Sequence, residues 1–176
     1  FFHVTMWFAM ILMMLLSLIY GFRYLQSNDL RDDLKSEQSA LTGIVFGILG
    51  LITGSIWARY TWGAWWVWDA RLTSELILLF QYAGVMLLRT SIDDLRRADR
   101  SSAVFALVGV VNVPIIYYSV QWWNTLHQGA SVSMATGSKM AATMLMAMLI
   151  MTVAFWMYSI AVILARVRCV MVERES

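Results

Sequence analysis

Apolar residues gather into five runs, at about 4–24, 40–59, 74–89, 103–121 and 139–165, separated by shorter polar or aromatic connectors. At ~1.5 Å per helical residue such runs cross the roughly 30 Å of bilayer hydrocarbon, the third run being the shortest. A closed β-barrel would instead show short segments of alternating polarity. The pattern therefore predicts an all-α fold, a polytopic transmembrane helical bundle in which residues 1–176 form a single integral membrane domain.

The connectors fall into two kinds. NDLRDDLKSEQ (28–38) and TSIDDLRRADRSS (90–102) are charged, whereas the segment 60–73 is rich in tryptophan and the loop 122–138 is aromatic and small-polar. Basic loops stay on the cytoplasmic side or its topological equivalent. Placing the charged loops and the tail inside puts Arg23, Arg31, Lys35, Arg89, Arg96, Arg97, Arg100, Arg166, Arg168 and Arg174 there, and leaves Arg59, Arg71 and Lys139 outside. The tryptophan segment, the 122–138 loop and the start of the chain then share the outer face. The chain enters its first apolar run at once, with neither an initiator methionine nor a basic signal-peptide region, so a further upstream span is expected, making six with both ends inside.

Composition supports a bilayer location, with 60% hydrophobic residues, 14% charged residues and one proline. The single cysteine, Cys169, lies in the charged tail, which excludes a disulfide framework and a cysteine-built zinc or iron–sulfur site. Pro114 is expected to kink the fourth run. Met140, Met144, Met148 and Met151 share a helical face and are read as packing residues rather than ligands. The charged loops are read as a solvated inner surface, with contact to an ATPase partner as a second reading.

Candidate chemistry sits on the outer side. The chain has two histidines, His3 at the mouth of the first span and His127 after the fourth. In TWGAWWVWDARLTS (61–74), Trp62, Trp65, Trp66 and Asp69 are spaced i, i+3, i+4, i+7 and would share one face of a helix, with Trp68 pointing elsewhere. Gly63 offers a hinge, and Thr73 or Ser74 before Glu75 reads as the N-cap of the third span. Asp69 could orient an indole N–H or pair with a cation. A plain aromatic belt with snorkelling histidines would use the same residue types. A flat apolar ligand with an anionic edge uses all of them together. In a haem site, indoles stack on the macrocycle, imidazoles ligate iron from opposite faces, and Arg59, Arg71 or Lys139 meets the propionates.

WGAWWVWD with ARLTS resembles the tryptophan-rich WWD motif of haem-handling membrane proteins, and QWWNTLHQG (121–129) is similar to the CcmC haem exporters of cytochrome c maturation. That resemblance implies that His3 and His127 are the two axial ligands. Thr5 stands where the family's HVP motif has proline. It further implies that Trp62, Trp65, Trp66, Trp68, Asp69, Arg59, Arg71, Trp122 and Trp123 form the cofactor-binding surface, with haem b as transported ligand. The implied role is transfer rather than catalysis: haem is presented to the periplasmic chaperone CcmE, beside the ABC-transporter subunits CcmA and CcmB and the small subunit CcmD, in a bacterial or mitochondrial inner membrane. The sequence contains no G-x-x-x-x-G-K-[ST], so ATP hydrolysis would belong to a partner. Two rivals remain at this point. One is a bis-histidine b-type cytochrome subunit, which would carry its ligands inside the spans, and the other is a haem-free structural or channel subunit.

Overall fold

A computed structural model describes residues 2–127, 132–133, 137–138 and 140–175. Among these described residues six helices follow in order: α1 (Phe2–Ser27), α2 (Leu30–Trp62), α3 (Ala70–Ser91), α4 (Leu95–Val110), α5 (Asn112–Trp122) and α6 (Ala142–Glu175). Between α5 and α6, strands β1 (Val132–Ser133) and β2 (Gly137–Ser138) form a small antiparallel pair with Val132 opposite Ser138. With α4 and α5 acting as one unit, Leu95–Trp122, five helical stretches among the described residues are long and apolar enough to cross a membrane. The protein is an all-α polytopic bundle.

The charged connectors are far shorter than their sequence predicts. Asn28, in the left-handed region at φ 55°, ends α1, and Asp29 starts α2 by accepting from the Arg31 N–H at 2.9 Å. Asp94 likewise starts α4 by accepting from the Arg97 N–H at 2.9 Å. Nor are these segments simply a solvated surface, because Asp32, Asp33 and Asp99 are buried. The Arg89 guanidinium closes as a fork on both Asp33 oxygens, reaches Glu37 at 3.1 Å and Asp99 at 2.9 Å, and so locks α2, α3 and α4 together at the inner end. Arg23 holds Asp32 at 3.0 Å. Carboxylates next to arginine can leave water only in such pairs, and their burial follows from the pairing.

At the centre, Met6, Met10, Met13 and Met14 of α1 pack with Leu34 of α2 and with Leu78 and Tyr82 of α3. α1 and α2 run close because glycines of α2 face α1. A Cβ at Gly50 would lie 3.1 Å from Trp7, and one at Gly54 only 2.8 Å from His3. α6 docks through Phe155, edge-on to Phe46 at 5.8 Å, and through Trp156, whose Nε1–H donates to the Phe8 carbonyl at 3.2 Å. Of the methionine face expected to be core on α6, Met148 is buried but Met144 is 45% exposed. The stripe is therefore not a continuous buried seam. The fourth span breaks at Val111, between α4 and α5. Pro114 has no N–H for the Val110 carbonyl, and Asn112 Nδ2 stitches the break to the Ser74 carbonyl of α3 at 2.7 Å.

Candidate functional site

The outer end of the bundle gathers the start of α1, the end of α2, the start of α3 and the end of α5. The segment linking α2 to α3 is not helical over 63–69, so the i, i+3, i+4, i+7 face expected of the tryptophans does not form. Gly63, at φ 76°, terminates α2 in the left-handed conformation, and Arg59 Nη1 donates to its carbonyl, which ties this exposed arginine to the helix end. The indoles instead form separate groups. Trp62 lies edge-on to Trp57 at 5.1 Å and to the His127 ring at 4.9 Å. Trp66 lies edge-on to Trp68 at 5.5 Å. Trp122 stacks on Tyr118 at 5.3 Å and meets Trp123 edge-on. Trp65 and Trp68 are 60% and 77% exposed, an open apolar surface, while the Trp66 Nε1–H is buried with no hydrogen-bond partner.

Asp69 organises this end. It, rather than Thr73 or Ser74, is the N-cap of α3: Oδ1 accepts from the Leu72 N–H at 2.8 Å, and Ser74 sits inside the helix donating to the Arg71 carbonyl. Its Oδ2 accepts from Thr125 Oγ1 at 2.5 Å and from His127 Nδ1 at 2.7 Å. Asp69 thus meets an imidazole from a distant loop rather than an indole N–H or a neighbouring cation, and Arg71 turns to Glu75, one turn on, at 3.1 Å. Burial would push the Asp69 carboxyl up, but the hydrogen bonds from Thr125, Leu72 and His127 hold it below the usual carboxylate range. Burial also lowers the His127 imidazole, and this outweighs the opposing effect of the Asp69 carboxylate. The direction favours the neutral imidazole. A carboxylate can only accept, so Nδ1 carries the proton and Nε2 carries the lone pair.

His3 reaches the same state by another route. Its Nδ1 lies 3.0 Å from the Gly50 carbonyl and 3.2 Å from Thr53 Oγ1. The carbonyl can only accept, so again Nδ1 is protonated and Nε2 is the basic nitrogen. Both histidines occupy one end of the bundle, within electrostatic reach of each other and of Arg71. Among the described residues no hydrogen bond or ring contact joins them. His3 stands against Gly54 and His127 against Trp62, eight residues apart on α2, which is an axial offset of about 12 Å before side-chain reach is counted. No group of three or more His, Cys, Asp or Glu side chains could hold a metal among the described residues. An iron that arrives with four porphyrin nitrogens needs only two more ligands. Lys139 and residues 128–131 and 134–136 of the outer loop lie outside the described residues.

Residues 1–176 match the family described as CcmC: Heme exporter protein C. The chain belongs to this family. It is 46% identical over 143 residues to Heme exporter protein C of Bradyrhizobium diazoefficiens, an alignment covering 81% of this chain and 54% of that protein. It is 60% identical over 89 residues to the Escherichia coli K12 protein of the same name, covering 51% of this chain and 36% of that one. A putative cytochrome c biosynthesis ccmC-like mitochondrial protein of Marchantia polymorpha is 44% identical over 98 residues, 56% of this chain and 40% of that protein. The chain thus spans about half, or less, of the length of the curated relatives it matches.

Several residues of this CcmC-family site escape a reading of the sequence alone. Thr125 precedes His127 by two residues and shares Asp69 with it, Trp57 continues the aromatic contact behind Trp62, and Trp7 donates to His3 Nε2 at 3.3 Å. Trp7 alone had a local signal, its i+4 spacing from His3.

Proposed function

We propose that this chain holds haem b at the outer face of the membrane, with His3 and His127 as axial ligands, and releases it to a periplasmic haem chaperone of the CcmE type. The observation that carries the reading is the matched arrangement of the two imidazoles: each is fixed through Nδ1 to an acceptor, which leaves Nε2 as the lone-pair nitrogen, at His3 accepting from the Trp7 indole. That is the tautomer an iron requires. Exposed Trp65 and Trp68 supply apolar stacking surface, and Arg71, held by Glu75, supplies positive charge for a propionate. Exposed Trp122 and Trp123 and the exposed Arg59 are further candidates for this surface. Sharing one iron requires the His127 loop to close toward His3.

Haem is the cargo, so the role is transfer and not catalysis. Weak enclosure serves it: an edge left open to water can be approached by an acceptor before the iron ligands let go. Its partners in this reading are ABC-transporter subunits of the CcmA and CcmB type and a small membrane subunit of the CcmD type, in a bacterial inner membrane or its mitochondrial counterpart. A b-type cytochrome role is disfavoured because both histidines of the chain lie at the outer end, leaving none to carry a haem at mid-membrane.

The test is haem content. His127→Ala, purified from membranes of cells making haem, should retain far less haem than the parent at equal protein yield. Undiminished haem in that variant would reject His127 as a ligand.

A further inference from the structure

We infer that Trp7 is a positioning residue that latches the His3 ligand nitrogen, an inference that rests on the haem-holding reading above. Trp7 follows His3 by one helical turn on the same face of α1, and its Nε1–H donates to His3 Nε2 at 3.3 Å, the two rings meeting edge-on at 6.1 Å. Nδ1 of His3 already donates to the Gly50 carbonyl, so Nε2 carries the ring's only available lone pair. That lone pair serves either the indole N–H or an iron, never both. Ligation by His3 therefore requires Trp7 to let go.

The surroundings hold the indole in place and leave it somewhere to go. On one side Trp7 lies flat against Gly50, where a Cβ would sit 3.1 Å from Cε2, and the residue is 8% exposed. On the other side it lines a cavity of about 360 Å³ between α1, α3 and α5, bounded also by Leu78, Pro114 and Tyr117 and by the Arg71–Glu75 pair. A released indole can turn into that space, where the Glu75 carboxylate offers its N–H a new acceptor. The latch keeps the empty site in its ligating tautomer. It also competes with iron for His3, which weakens the grip on one axial position and favours release to an acceptor.

Removing one neutral hydrogen bond that competes with ligation should tighten haem retention about three- to tenfold. The test compares full-length protein in lipid nanodiscs, loaded with haem, for the rate of haem loss to excess apomyoglobin. Trp7→Phe, and a second variant carrying the near-isosteric benzothienylalanine that lacks the N–H, should each lose haem several-fold more slowly while keeping the low-spin bis-imidazole spectrum. In a His3→Ala background the Trp7 effect should vanish. Unchanged or faster loss from the benzothienylalanine variant overturns the latch, as does a Trp7 effect that persists without His3. A His3→Ala protein that keeps the bis-imidazole spectrum would instead overturn the haem-ligand reading itself, so the two failures are separable.

Discussion

Replacing Asp69 by asparagine keeps the side-chain shape and removes one acceptor oxygen from a group that uses both. Oδ1 caps α3 at the Leu72 N–H, and Oδ2 receives Thr125 and His127. If the asparagine oxygen stays on Leu72, its NH₂ faces the His127 Nδ1–H. The imidazole must then move its proton to Nε2, the nitrogen needed for iron. If the amide flips, His127 keeps its partner but the cap is lost, which costs about 1 kcal/mol. His127 and Asp69 are 15% and 8% exposed, so solvent offers little substitute for the missing acceptor. Loss of a partner that orients a metal-bound histidine typically weakens metal binding about ten- to a hundredfold, or about 1.4–2.8 kcal/mol. Titrating detergent-solubilised protein with haem and following the low-spin absorption band measures this directly. Thr125→Val, which removes one of the two donors to Oδ2 but leaves the carboxylate, should weaken binding by no more than about fivefold. An Asp69→Asn protein with parental haem affinity and an unchanged melting temperature would refute the claim that this carboxylate sets the tautomer of His127.

Three further outcomes follow from the geometry. Gly54→Ala places a Cβ 2.8 Å from His3 Cε1, so His3 must shift and haem affinity should fall while membrane insertion, judged by protease protection of the loops, stays intact. Trp65→Ala and Trp68→Ala remove mostly exposed surface, with only the edge contact of Trp68 on Trp66 lost, and should impair haem loading or chaperone association, read by cytochrome c yield, with little change in thermal stability. Arg89→Ala leaves Asp33 buried without its fork and should destabilise the fold by about 3–5 kcal/mol, seen as earlier thermal unfolding, even though the proposed haem site lies at the other end of the bundle.

Much of this architecture is legible in the chain because a bilayer enforces it. Five apolar runs have to be helices, and the distribution of lysine and arginine brings His3, the tryptophans and His127 to one face. The details that escaped are those in which a side chain far away in sequence decides. Asp69 has the residue type of an N-cap, as Thr73 and Ser74 do. Its choice as cap depends on Gly63 ending α2 and on Thr125 and His127 arriving from another loop to fix it. Trp62, Trp65, Trp66 and Asp69 have helical spacing, yet Gly63 ends α2 and Trp65 and Trp68 stay exposed, so the stretch lacks the continuous buried face that would stabilise a helix. Charged residues at 28–38 and 90–102 looked like solvated loops because a sequence does not show that Arg89, on a different helix, neutralises Asp33 and Asp99. The family resemblance located the histidines, whereas the hydrogen bonds that set their tautomers required coordinates.

The central claim is that His3 and His127 share a single iron. Electron paramagnetic resonance of the haem-loaded ferric protein tests it most directly. The account predicts a low-spin bis-imidazole signal in the parent, its replacement by a high-spin signal in both His3→Ala and His127→Ala, and recovery of the low-spin form when free imidazole is added to either. Persistence of the parental signal in either variant would contradict it.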